Sequence, residues 1–144
     1  MTGHKFINLA VRLASAKSPD EATLRTAVSR AYYGALHIAK AYLLELGFPT
    51  TGHGEPWQYL YEGGNKHLSV AAALLSDLQS ARVKADYAMQ STAAPTLATV
   101  RLQIEAAVRI RDSLGLCADE DTQAAIRKQI EMYLSRRKGS KPAS

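Results

Sequence analysis

Residues 22–46 read ATLRTAVSRAYYGALHIAKAYLLEL, and this stretch decides the fold. At about 100° per residue, Leu24, Val28, Ala31, Tyr32, Ala35, Ala39, Tyr42, Leu43 and Leu46 gather on one side of a helix. That is a complete core stripe. Just upstream, Ser18-Pro19-Asp20-Glu21 predicts the start. Ser18 serves as the cap, Pro19 suits the first turn, and Glu21 stands three residues after Ser18, as a capping box requires. Gly47 is the stop. The opposite face collects Thr26, Arg30, Tyr33, His37, Lys40 and Leu44. A face that meets only water usually mixes Glu with Lys. This one holds Arg, Tyr, His and Lys and no acid, so it suits an anion or another chain.

Working outward, Phe6, Leu9, Ala10 and Leu13 predict a first helix over residues 4–17. Residues 48–57 read as a loop, with a short helical piece over 58–62, and Trp57, Tyr59 and Tyr61 pin this region to the body. Gly63-Gly64-Asn65 breaks the chain again. Further helices are predicted over 66–89, from Pro95 to about 116, and over 119–137. The fifth of these segments carries Leu97, Val100, Ile104, Val108 and Leu114 along one side. The last begins with acids and ends with bases, as the helix dipole favours. No alternating pattern of strand type occurs. The fold expected is all-α: a helical bundle of four main helices plus one or two shorter ones, in a single domain over 1–137 with a flexible basic tail over 138–144.

Bulk properties narrow the classes of function. The chain has 144 residues, is 47% hydrophobic and carries a formal net charge of +5. That suits one domain with a real core and permits a polyanionic partner. No apolar run approaches the ~20 residues of a membrane span, so no membrane partner is expected. A single cysteine, Cys117, excludes an internal disulfide and fits a reducing, cytoplasmic setting. His4, His37, His53 and His67 lack metal-ligand spacing, and no glycine-rich phosphate loop is present, so no metal or cofactor is expected.

One more feature stands out. The seam Leu68, Ala71, Ala72, Leu75, Leu78 continues in phase to Arg82 and Asp86. A charge on an apolar seam needs a partner. Arg82 is therefore ion-paired to Asp86 four residues on, or a phosphate ligand that Asp86 steadies, and the two roles are compatible.

Ser29-Arg30-Ala31-Tyr32-Tyr33, with His37 four residues later, resembles the signature helix of the HEPN proteins (higher eukaryotes and prokaryotes nucleotide-binding). Arg82-Val83-Lys84-Ala85-Asp86-Tyr87 resembles the R-x-x-A-D-Y end of a later helix in that group, and Thr51-Gly52-His53-Gly54 is similar to a short His-Gly turn between them. The resemblance covers residues 22–89. It implies an antiparallel helical bundle, often a homodimer, that binds RNA or a nucleotide. It also implies the settings of the family: metal-independent ribonuclease, or toxin–antitoxin component beside a nucleotidyltransferase partner protein. The family's ribonuclease signature is Arg, four to six residues, then His. No histidine follows Arg82 at that distance, whereas Arg30 and His37 satisfy the spacing on the earlier helix.

Three readings follow. In the first, His37 is the general acid or base for attack of a 2′-hydroxyl on the adjacent phosphate, and Arg30 stabilises the developing charge. In the second, Arg30, Tyr33, Lys40, Arg82, Asp86 and Tyr87 bind RNA or a nucleotide without turnover. In the third, the Tyr33/His37/Leu44 face is a catalytically inactive dimerisation or interaction surface, its aromatics merely packed.

Overall fold

The computed structural model describes residues 2–87 and 95–140, with the side chains of 85–87 and 140 excepted. Six helices account for the ordered elements among them: α1 (Gly3–Ala14), α2 (Glu21–Glu45), α3 (Gly54–Tyr61), α4 (Lys66–Tyr87), α5 (Leu97–Gly115) and α6 (Glu120–Ser140). The four long ones make an all-α bundle, with α1 and α3 as the shorter pieces. Helix α2 packs against α1, α4 and α5, and α4 packs against α3 and α5.

Every start but that of α3 is fixed by a short polar side chain. Thr2, Asp20 and Thr96 cap α1, α2 and α5 by accepting from the backbone N–H three residues on. Asn65 Oδ1 accepts from His67 N at 2.8 Å at the head of α4. Asp119 Oδ2 accepts from both Thr122 N and Thr122 Oγ1 at the head of α6. These bonds stabilise the ionised form, so Asp20 and Asp119 both titrate below the usual carboxylate range.

Four sequence expectations need correction. The cap of α2 is Asp20, not Ser18. Ser18 lies in the left-handed region at φ 53°, whereas Asp20 has the extended backbone that a cap requires. Helix α3 starts at Gly54 rather than 58, because Pro56 falls in its first turn, where no backbone donor is needed. Tyr61 is 61% exposed and so is not one of the aromatics that anchor this region. Its place on the eight-residue helix faces outward from Pro56 and Leu60, which are buried. Finally, α6 runs on to Ser140, into the expected tail, with Arg137 and Lys138 complementing its C-terminal dipole. The expected end of α4 at Met89 and the linker over 91–94 lie outside the described residues.

The core stripe of α2 is buried as the spacing requires, Leu24, Val28, Ala31, Tyr32, Ala35, Ala39, Tyr42, Leu43 and Leu46 all included. On α5, Val100, Ile104 and Leu114 are buried as expected, Leu97 and Val108 only partly, and Ala107 and Ile110 join the buried set. Polar ties lock the far end. Tyr42 Oη donates to Cys117 O at 2.8 Å, and Arg127 Nε donates to Leu46 O at 3.0 Å. Burial pushes the Tyr42 hydroxyl well above its ordinary value.

Helices α1 and α2 meet closely at two glycines. A Cβ on Gly34 would lie 2.7 Å from Ile7 Cγ1 and 2.8 Å from the backbone oxygen of Gly3. The reciprocal Cβ on Gly3 would lie 2.6 Å from Gly34 O. Alanine within a helix normally gains about 1 kcal/mol over glycine. Overpacking costs ~1–3 kcal/mol, and a clash with backbone falls at the upper end because backbone cannot rotate away. Gly34→Ala is therefore expected to lower the thermal midpoint. Gly115→Ala, with open space around it, should leave the midpoint unchanged or raise it. Equal midpoints for Gly34→Ala and wild type would show that α1 is not seated on Gly34.

Candidate functional site

Consecutive residues of a helix point about 100° apart, so Tyr32 and Tyr33 divide their work. Tyr32 is fully buried in the core. Its hydroxyl nevertheless reaches the edge, where it hydrogen-bonds His53 Nδ1 at the entry to α3. The two rings stack with centroids 5.7 Å apart and 17° between planes. With the hydroxyl as donor, the imidazole proton sits on Nε2. Tyr33 is half-buried and meets Tyr32 and His53 edge-on, at 5.2 and 6.3 Å.

Arg82 arrives from α4 and completes this cluster. Its Nη2 donates to Tyr33 Oη at 2.8 Å. Its guanidinium carbon lies 5.3 Å from the Tyr33 ring centre and 5.9 Å from that of Tyr32. Such cation–π contacts contribute about 1 kcal/mol each at part-buried sites. The Tyr32 hydroxyl is pushed up to about 12. Burial is the main cause; the Arg82 charge opposes it and Tyr33 adds to it.

A second cluster lies along the same face of α2. Arg30 places its guanidinium carbon 5.7 Å from the centre of Phe6 on α1. His37 stacks on Phe6 at 5.3 Å with 6° between planes. His37 is exposed, and Arg30 Nε is buried with no hydrogen bond to a described residue. Arg30, Tyr33 and His37 follow one another at three and four residues, so they are neighbours on the helix surface. Tyr33 is thus the point where the Phe6 cluster and the Arg82 cluster meet.

Of the residues singled out in the sequence, the structure joins Tyr33 to Arg82 directly, and Arg30 to His37 through Phe6. Lys40 is half-buried farther along α2, and Leu44, on the same face, is 60% exposed. Asp86 and Tyr87 have side chains outside the described residues. Sequence reasoning missed three members. Periodicity places Phe6 and Tyr32 in the core, and residue type alone does not assign His53 to the site. The available signal was the turn itself. A histidine between two glycines, ahead of a helix start, has a backbone free to bring its ring onto a neighbouring helix.

Among the described residues, no three His, Cys, Asp or Glu side chains come together as a metal-holding group, and no helix is long and apolar enough to cross a membrane. Comparison with family models, with characterised proteins and with solved structures finds no significant match.

The Tyr32–His53 pairing is open to test. The raised hydroxyl means that the folded state holds its proton more tightly. That stability is fully present below the ordinary tyrosine value of 10.0 and is lost as pH rises toward about 12. Near neutral pH, Tyr32→Phe should cost about 1 kcal/mol for the lost hydrogen bond. The gap in urea midpoint between wild type and variant should narrow above pH 10 and reverse before pH 12, because the cost of ionising the buried hydroxyl outgrows the lost hydrogen bond. A gap that stays constant over that range would contradict a protonated, buried hydroxyl at this position.

Proposed function

We propose that this protein is a HEPN-like module that binds RNA or a nucleotide along the outer face of α2. The observation that carries this reading is the posture of Arg82. Its guanidinium is spread over Tyr32 and Tyr33 and hydrogen-bonded to Tyr33 Oη, beside His53. Aromatic rings under a guanidinium fix its orientation, and an oriented guanidinium suits the two oxygens of a phosphate. Arg30 and His37 on Phe6 continue the same face. The face therefore offers cations and rings side by side to an unpaired strand. Phosphates take the cations and splayed bases take the rings. The resemblance in Ser29–Tyr33 with His37, and in Arg82–Tyr87, supports the same assignment.

Binding is the primary reading, and turnover is a separate one. Cleavage would need a general acid or base, and His37 and His53 are the two histidines on this face. His37 is the more exposed, and His53 is already tied to Tyr32 through Nδ1. A homodimer through the same face also fits the family resemblance, and the exposed Leu44 beside Lys40 favours it.

Binding of a short single-stranded RNA, measured across a range of salt concentrations, tests the reading. Affinity should fall steeply as salt rises, because each neutralised phosphate releases counterions. Arg82→Ala and Arg30→Ala should each weaken binding and lower the log–log slope by about one. A flat salt response would exclude the phosphate-binding reading. RNA cleavage in the presence of a chelator, abolished in His37→Ala and kept in wild type, would promote the module to a metal-independent ribonuclease. A dimer at micromolar concentration that Leu44→Glu dissociates, with no affinity for RNA, would replace it with the interaction reading.

A further inference from the structure

Outside the face just described, one cleft combines shape with chemistry. It opens between α3 and the C-terminal turns of α6, has a volume of about 470 Å³, and is lined by Glu55, Trp57, Gln58, Tyr59, Tyr133 and Arg137. That volume is in the range of small-molecule sites. Three of the seven lining residues, which also include Gly54, are aromatic. Tyr59 and Tyr133 meet at 78° with centroids 6.2 Å apart, which makes a right-angled corner of ring surfaces. Arg137 lies over Tyr133, 5.7 Å from the ring centre. Trp57 is half-buried. Its indole nitrogen would be 3.8 Å from a Cβ on Gly54, so it sits against bare backbone at the cleft edge. Glu55 supplies a carboxylate, one oxygen of which accepts from Thr51 N at 3.3 Å.

We infer that this cleft is a nucleobase subsite, in which a base stacks against the aromatic corner and its phosphate lies toward Arg137. The chemistry selects the class. Flat rings at a corner favour a flat ligand edge-and-face. The indole N–H and the Glu55 carboxylate offer one donor and one acceptor to a heterocycle edge. Arg137 adds a positive charge at the rim for a phosphate. A sugar would use the rings and leave the cationic rim without a role.

Position supports the same choice, and this step rests on the proposed function. Gly54 and Glu55 follow His53 directly in the chain. His53 belongs to the Tyr33/Arg82 cluster, and Glu55 belongs to the cleft. Two residues at the head of α3 therefore link the cluster to the cleft, and we take the cleft as the next station for a strand whose phosphate lies at Arg82. A free nucleotide would offer the same base and phosphate, so the probes must tell the two sources apart.

Trp57 is the single tryptophan of the chain, so its fluorescence reports on this cleft alone. The titration uses oligoadenylate RNA and, separately, AMP, with excitation beyond nucleobase absorption. Oligoadenylate should quench Trp57 as it binds. Arg137→Glu should weaken binding about tenfold, in line with the loss of one stacked, phosphate-held base. Arg136→Glu, an equal charge change outside the cleft lining, should weaken it clearly less. Tyr133→Leu should act like Arg137→Glu; if it melts early, the two charge variants still decide. Equal saturation by AMP identifies a free nucleotide as the ligand, and quenching by RNA alone identifies a strand. RNA binding that depends on Arg82 but leaves Trp57 emission and Arg137→Glu affinity unchanged would overturn the subsite and spare the proposed function. Absence of binding by both probes would overturn both.

Discussion

The close seat of α1 on α2 at Gly3 and Gly34 governs what the rest of the molecule can do. With no Cβ on either residue, the backbones approach until each glycine nearly touches the carbonyl oxygen of the other. This approach carries Phe6, one turn along α1, onto Arg30 and His37. It also fixes the rotation of α2. Gly34 toward α1 turns Tyr32 into the core and Tyr33 toward the Arg82 side. A larger residue at 34 would push α1 outward and take the ring away from both cations. Two small residues thus set the register of an entire polar face.

The fold was legible because it rests on spacing. A core stripe on α2, a glycine stop and short polar caps are local signals, and each is read from a few neighbouring residues. The errors have local causes as well. Ser18 and Asp20 are both good caps by type, and only the positive φ at Ser18 separates them. Pro56 looked like a loop residue, although proline is at home in a first turn. In both cases residue type admitted two conformations, and the surrounding packing selected one.

The site was legible only in part, because its members come from four segments. Arg30, Tyr33 and His37 share a helix, so periodicity put them on one face. Arg82 was noticed because a charge interrupted an apolar seam. Nothing local tied His53 to Tyr32, or Phe6 to His37. Tyr32 illustrates the difficulty. Its position in the stripe correctly marked it as buried, yet a tyrosine has a polar end, and a buried ring can still offer its hydroxyl to a residue at the rim. Long side chains that are apolar along their length and polar at the tip escape a reading that assigns each position to inside or outside.

The way the cations are held bears on what the face can bind. Arg30 makes no ion pair with a described residue, and its guanidinium rests on a ring. A carboxylate in that place would hold the side chain equally still, but it would cancel the charge and compete with any incoming anion. A phenyl ring orients the guanidinium through its quadrupole and leaves the net charge in place. The cost is a buried Nε–H with no hydrogen bond to a described residue, which is tolerable only where something else compensates or where a ligand completes the shell. A surface built only for packing gains nothing from that arrangement, since a leucine at 30 would cover Phe6 without an unpaired donor. An arginine held this way is suited to meeting an anion that arrives from outside.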